Sequence, residues 1–165
     1  MSGFPVLTRL AFGPGQRAAF AAGPLRERWA ERYPELFDDR DLRNARSRPD
    51  HHFFEWLAAV SLYESTGWRS LVEKYQFPGH GRKRAVLRDL GAEALLRFFE
   101  GQRERFGNLQ APDLLLYRPG GPDYVFCEAK GPGDRLRPEQ AAYFRALREA
   151  AGRPVYVVTV APAPF

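Results

Sequence analysis

The chain has 165 residues, 44% of them hydrophobic and 27% charged, which suits one compact domain with its own core and excludes a disordered or fibrous polypeptide. Its net charge of +5 comes from 22 Arg against 3 Lys; the planar guanidinium fork suits phosphate, although GC-rich coding yields the same bias. No apolar run reaches the roughly 18 residues of a membrane span, no signal-peptide pattern is visible, and the single Cys127 forms neither an internal disulfide nor a multi-thiolate metal site, so a reducing, cytoplasmic setting is expected.

In chain order, residues 1–48 read as an arm punctuated by Gly3, Pro5, Gly13, Pro14, Gly15, Gly23 and Pro24. One short helix is predicted over 24–35, with Leu25, Trp29 and Tyr33 in a four-residue stripe. Residues 38–49 alternate acids and arginines and read as an exposed connection. A buried helix is predicted over 50–64, because apolar side chains wrap almost all its sides, with Asp50 as a fair N-cap and Gly67 ending it. Residues 68–77 read as a short helix or an irregular strand, and 78–81 as a turn. Residues 82–106 are an amphipathic helix or helix pair, with Leu87, Leu90, Ala94 and Phe98 on one face.

After Gly107 the texture turns to β. Residues 113–117 and 124–130 are predicted strands joined by the turn 119–122, hence a hairpin. A helix opened by Pro138 runs to about residue 151, Gly152 closes it, and 154–160 is a β-branched last strand. The order of elements is that of an α/β domain.

The chemistry sits in Ala111-Pro112-Asp113, fourteen further residues, then Glu128-Ala129-Lys130. Strand residues two apart share a face, so Glu128 and Lys130 point together while Cys127 and Ala129 point the other way. The hairpin carries Asp113 towards Glu128. Two hard carboxylates suit Mg²⁺, which keeps its waters. A bound divalent cation polarises phosphate and activates water, and an adjacent ammonium steadies the developing negative charge. Gly131 and Gly133 are expected to leave room for a phosphate backbone. The plainer reading is a surface ion pair between Glu128 and Lys130. Against it stand the apolar neighbours Tyr124, Val125, Phe126 and Cys127, which argue for a central strand.

Pro112-Asp113 followed by Glu128-Ala129-Lys130 resembles the PD-(D/E)XK nuclease superfamily. The continuation from Gly131 through Arg135, Arg137, Pro138 and Glu139 to Gln140 is similar to its VRR-NUC branch, with residues 111–160 carrying the likeness. The resemblance implies a restriction-endonuclease-like core, a small mixed sheet flanked by helices, over residues 49–165, with a helical insertion at about 82–106. It also implies Mg²⁺- or Mn²⁺-dependent hydrolysis of DNA phosphodiester bonds in repair, recombination or phage biology. Asp113, Glu128 and the Ala129 carbonyl would hold the metal, and Lys130 would act on the water.

The family's acid on the first core helix maps to Glu55, the only ionisable group between Phe53 and Tyr63; Asp50 is the alternative, and Glu64 reads as solvated. Gln140 matches a family glutamine that lines the site. Arg135 and Arg137, in the adjoining loop, and the cluster Arg82-Lys83-Arg84 are candidate DNA contacts. His51 and His52 read as capping or surface residues, and Cys127 has no evident partner for a nucleophilic role. A monomer or weak dimer is expected, the insertion interfering with pairing. The rival readings are an inactive nucleic-acid-binding module of the same fold and an interaction subunit.

Overall fold

The C-terminal hairpin organises the sheet. In the computed structural model, which describes residues 3–164, Leu114–Tyr117 (β3) and Tyr124–Lys130 (β4) pair antiparallel, with Leu114 opposite Cys127. Val155–Pro162 (β5) lies parallel to β4. A parallel neighbour needs a crossover, and Pro138–Ala151 (α8) supplies it. Pro138 opens that helix, and Gly152, at φ +65° where side chains are disfavoured, ends it. Arg69–Val72 (β2) adds antiparallel to β3, and Val6–Phe12 (β1) adds parallel to β5. The sheet order is β1-β5-β4-β3-β2.

Period-two alternation divides the core between the two faces. Leu114, Leu116, Cys127 and Ala129 face one side. There they meet Gln16–Ala22 (α1), Pro24–Arg32 (α2), Asp39–Ser47 (α3) and Phe53–Thr66 (α4). Leu115, Tyr117 and Phe126 face the other side. They meet Gly81–Asp89 (α5), Glu93–Glu100 (α6), Gln102–Phe106 (α7) and α8. Helix α4 is buried nearly all round, as its sequence requires, and its Trp56 stacks on Phe37 at 3.8 Å. The result is an α/β fold, a small mixed sheet with helices on both faces. Among the described residues no helix is long and apolar enough to cross a membrane.

The N-terminal residues depart from the expected arm. The predicted helix is present as α2, but residues 6–12 form β1 and close one edge of the sheet. Phe12 on β1 meets Phe53 edge-to-face at 5.4 Å, and Phe20 on α1 is fully buried beside Trp29 and Trp56. Residues 38–49 are not an exposed connection either. Asp38 caps α3 by accepting from Asp41 N–H at 2.9 Å, and Asp41 reciprocates on Asp38 N–H at 3.0 Å. Asp50 does not cap α4: the cap position is His52, with no side-chain hydrogen bond. Residues 69–72 choose the strand, and Glu64, exposed as expected, accepts from Tyr33 Oη.

The cluster Arg82-Lys83-Arg84 is also reassigned. Lys83 is 1% exposed, and its ammonium donates to Asp41 Oδ1 at 2.6 Å, to the Glu73 carbonyl at 2.9 Å and to the Val72 carbonyl. Arg84 is 7% exposed and donates to the Gln76 and Phe77 carbonyls. Arg82 pairs with Asp38 at 2.8 Å. These cations tie α5 to α3 and to the end of β2; they do not form a free basic surface for DNA. Carbonyls left over at a strand end and one buried carboxylate have drawn them inward.

Lys83→Ala strands Asp41 in the core, so it is expected to cost about 3–5 kcal/mol of unfolding free energy. The double variant Asp41→Leu/Lys83→Met should recover a large part of that loss. Urea denaturation of the two proteins measures both.

Candidate functional site

Asp113 stands one residue before β3, and the register of the hairpin sets it opposite Glu128. Two hydrogen bonds cross the hairpin between Asp113 and the Glu128-Ala129 segment. Asp113 N–H donates to Glu128 Oε1 at 3.0 Å, and Ala129 N–H donates to Asp113 Oδ2 at 2.9 Å. Two neighbours hold the backbone around Asp113. Tyr75 Oη donates to the Pro112 carbonyl at 2.8 Å, and Glu73 N–H donates to the Asp113 carbonyl at 2.8 Å. Lys130, one pleat beyond Glu128 on the same face, brings Nζ to 3.2 Å from Glu128 Oε2.

Asp113, Glu128 and Lys130 line a pocket of about 410 Å³, together with Glu55 from α4, Ala129, Gln140 from α8, and Arg135 and Arg137 from the loop before α8. All the sequence candidates except Arg82, Lys83 and Arg84 therefore meet in one place. Gln140 Oε1 accepts from Arg137 N–H at 3.1 Å, which leaves its NH₂ group as the donor not engaged at the start of α8. Arg135 is exposed on the rim, and Arg137 is exposed beside Glu139 at 3.5 Å. Gly131 plays a different part from the one expected. A Cβ there would fall 2.3 Å from the Phe54 ring, so its bare backbone admits Phe54 and not a phosphate. The loop is closed by Gly131 N–H donating to Asp134 Oδ2 at 3.0 Å.

Negative charge is crowded inside this pocket. Burial, the Glu73 charge and the Glu128 charge push the Glu55 carboxyl up from 4.5 to about 8, with Lys130 opposing. Burial and then the Glu128 charge also raise Asp113 well above the usual carboxylate range. Glu55 Oε2 is buried with no hydrogen-bond partner. Crowded oxygen donors, one of them orphaned, with a single ammonium among them, fit a hard divalent cation such as Mg²⁺ or Mn²⁺. Asp113, Glu128, Ala129 and Glu55 all line the pocket and are the groups that could hold such an ion. Cys127 does not enter: burial pushes its thiol far above the normal range, and the strand turns it to the opposite face.

Sequence reasoning missed three lining or flanking residues, Arg17, His51 and Glu73, while Asp50, its alternative for the helix acid, does line the pocket. Arg17 reaches the pocket from α1, with its guanidinium 4.7 Å from the Phe54 ring centre; nothing local in the sequence marks it. Asp50 and His51 line the wall. Glu73, directly after the buried run Ser70-Leu71-Val72, carries a charge where a strand end enters the core, and that was the available signal. His52, read as a cap or surface group, does hold the N-cap position of α4, without a side-chain cap bond, and its Nδ1 approaches the Glu73 carboxylate at 3.1 and 3.2 Å.

The VRR-NUC domain family model matches residues 55–162, from Glu55 on α4 to the end of β5. The chain belongs to the VRR-NUC domain family. No curated protein matches it. Among solved structures it is similar to paFAN1 bound to a 2-nucleotide 5′-flap DNA with a gap, at 24% identity, over 77% of this chain and 25% of that one, with a TM-score of 0.43. A second paFAN1 structure, with a 1-nucleotide flap, gives 23% identity over 89% and 26% of the respective chains and a TM-score of 0.39. The chain thus spans about a quarter of the length of those proteins.

A carboxyl group with a raised folded-state pKa binds protons that the unfolded chain has already released. Between pH 4.5 and about 8 the folded, metal-free protein therefore holds the extra proton at Glu55, and stability falls as pH rises through that window. Melting in chelator should show a falling Tm from pH 5 to 8. Glu55→Gln should flatten the slope, and millimolar Mn²⁺ at pH 8 should restore stability by binding the ionised carboxylates.

Proposed function

We propose that this VRR-NUC domain hydrolyses phosphodiester bonds of DNA with Mg²⁺ or Mn²⁺ bound in the pocket. The observation that carries the reading is the convergence of Asp113, Glu128 and Glu55 with the Lys130 ammonium in one pocket, with exposed Arg135 on its rim. The bound cation would supply Lewis acidity and charge neutralisation at the scissile phosphate. The chain's own groups do the rest. Lys130 Nζ, anchored by Glu128 at 3.2 Å, orients the attacking water and stabilises negative charge gathering on the phosphate oxygens. The Gln140 NH₂ group offers a second donor at the same wall. Arg135 and Arg137 take flanking phosphates, where a planar fork binds two oxygens at once. Membership of the VRR-NUC family supports this reading.

The decisive test is cleavage of duplex, single-stranded, nicked, flap and junction DNA with and without Mg²⁺ or Mn²⁺. Asp113→Ala should reduce cleavage to background while DNA binding persists, because the rim arginines are untouched. Lys130→Ala should lose turnover by roughly 10²-fold or more while metal binding remains. Full cleavage by Asp113→Ala would end the nuclease reading.

Binding measured against salt separates the rim from the floor. Each phosphate contact on duplex DNA contributes a log–log slope of about −0.9. Arg135→Ala should weaken the slope by about one contact, and Arg84→Ala should leave it unchanged because Arg84 is internal. An unaltered slope for Arg135→Ala removes that residue from the interface.

A further inference from the structure

We infer that the groove between α8 and β5, beside Lys130, binds a single strand of DNA, with Arg9 and Arg145 taking its phosphates. The inference rests on the nuclease reading for its ligand and adds to it the path of one strand away from the pocket.

The groove is a cavity of about 520 Å³ continuous with the candidate site, since Lys130, Asp134 and Arg135 line both. Ala141 and Arg145, one turn apart, line it from α8, and Val157 and Thr159 line it from β5. The register of the sheet carries the cations further. Lys130 on β4 pairs with Thr159 on β5, and Thr159 pairs with Arg9 on β1, both in parallel. Paired residues share a face of the sheet, so an ammonium, a hydroxyl and a guanidinium stand in one row across three strands. Two strand spacings put roughly 10 Å between the backbones of the outer two, which is roughly one to three nucleotides along a strand.

Arg9, Arg135 and Arg145 are exposed, and among the described residues none of the three is in an ion pair. The acid that lines the groove, Asp134, is engaged by the Gly131 N–H at 3.0 Å. The groove is therefore net cationic. Its volume lies within the roughly 300–1,000 Å³ that suits a drug-sized molecule, so it admits a short piece of one strand and not a stacked duplex. None of its lining residues is aromatic, so bases find no stacking platform and binding goes through phosphates, without base preference. A solvated surface accounts for any one of these arginines and leaves their alignment with Lys130 unexplained.

The test measures binding in chelator, so neither metal nor cleavage enters. The intact protein is titrated into fluorescein-labelled short single strands, of thymidine alone and of mixed sequence, and into a blunt duplex, over a range of salt. On single strands each phosphate contact contributes a log–log slope of about −0.7. Arg9→Ala and Arg145→Ala, each checked for folding by circular dichroism, should each weaken the slope by about one contact and the double variant by about two. The two single strands should bind alike. Arg43→Ala, which removes an exposed cation from α3 on the other face of the sheet, should leave the slope unchanged, and on blunt duplex the Arg9 and Arg145 variants should match the wild type. Unchanged single-strand slopes in both variants, an equal loss in Arg43→Ala, or an equal loss on blunt duplex would overturn the inference. No binding of any of these DNAs at low salt would overturn it together with DNA as the partner. Single-strand binding through both arginines without cleavage in Mg²⁺ or Mn²⁺ would end the nuclease reading and keep the groove.

Discussion

The site depends on the crossed pair of hydrogen bonds between Asp113 and the Glu128-Ala129 segment. Each carboxylate accepts from a backbone N–H of, or next to, the opposing residue, at 3.0 and 2.9 Å. Two carboxyl groups are thereby held close together at the mouth of a hairpin, an arrangement that repulsion opposes whenever both are ionised. The rest of the fold resists its opening. The Tyr75 hydroxyl and the Glu73 N–H grip the two carbonyls around Asp113, and β5 braces β4 from the other edge along Glu128, Ala129 and Lys130.

The N-terminal residues matter because the grip is built from far-apart pieces of chain. Asp41 on α3 neutralises Lys83, Lys83 binds the carbonyls at the end of β2, and Glu73 next to it reaches Asp113. An internal ion pair on one side of the molecule is thus connected by three hydrogen-bonded steps to the pocket floor. A parallel route runs through aromatic packing. Arg17 lies over Phe54, and Phe54 fills the space that Gly131 leaves open. The pocket wall is therefore made partly by a segment that precedes the family-matched residues.

Charge is segregated within the pocket. Buried carboxylates gather on the floor, and exposed arginines from α1 and the 131–137 loop, with Asp50 and Asp134 among them, stand at the rim. Burial first, and then the neighbouring carboxylate charges, raises the Glu55 and Asp113 carboxyl pKa values.

Much of this was legible in the sequence because its determinants are local. The hairpin, the crossover helix between Pro138 and Gly152, and the shared face of Glu128 and Lys130 follow from turn chemistry, capping and the two-residue period of a strand. The motif from Asp113 to Gln140 falls in one continuous stretch, so its residues could be named in advance. The same local rules misplaced β1, whose alternation is weak and whose strand exists only because β5 offers it an edge. They also misread Arg82, Lys83 and Arg84 as surface cations. A charged side chain is drawn inward only when tertiary contacts assemble its partners, here Asp38, Asp41 and the carbonyls of Val72, Glu73, Gln76 and Phe77. His52 and Glu73 belong to the same class: they are 21 residues apart, and no spacing rule joins them. The sequence by itself determined which residues carry the acids and the lysine; tertiary structure decided which distant charges are buried among them, because burial and pairing are properties of packed surfaces and not of local pattern.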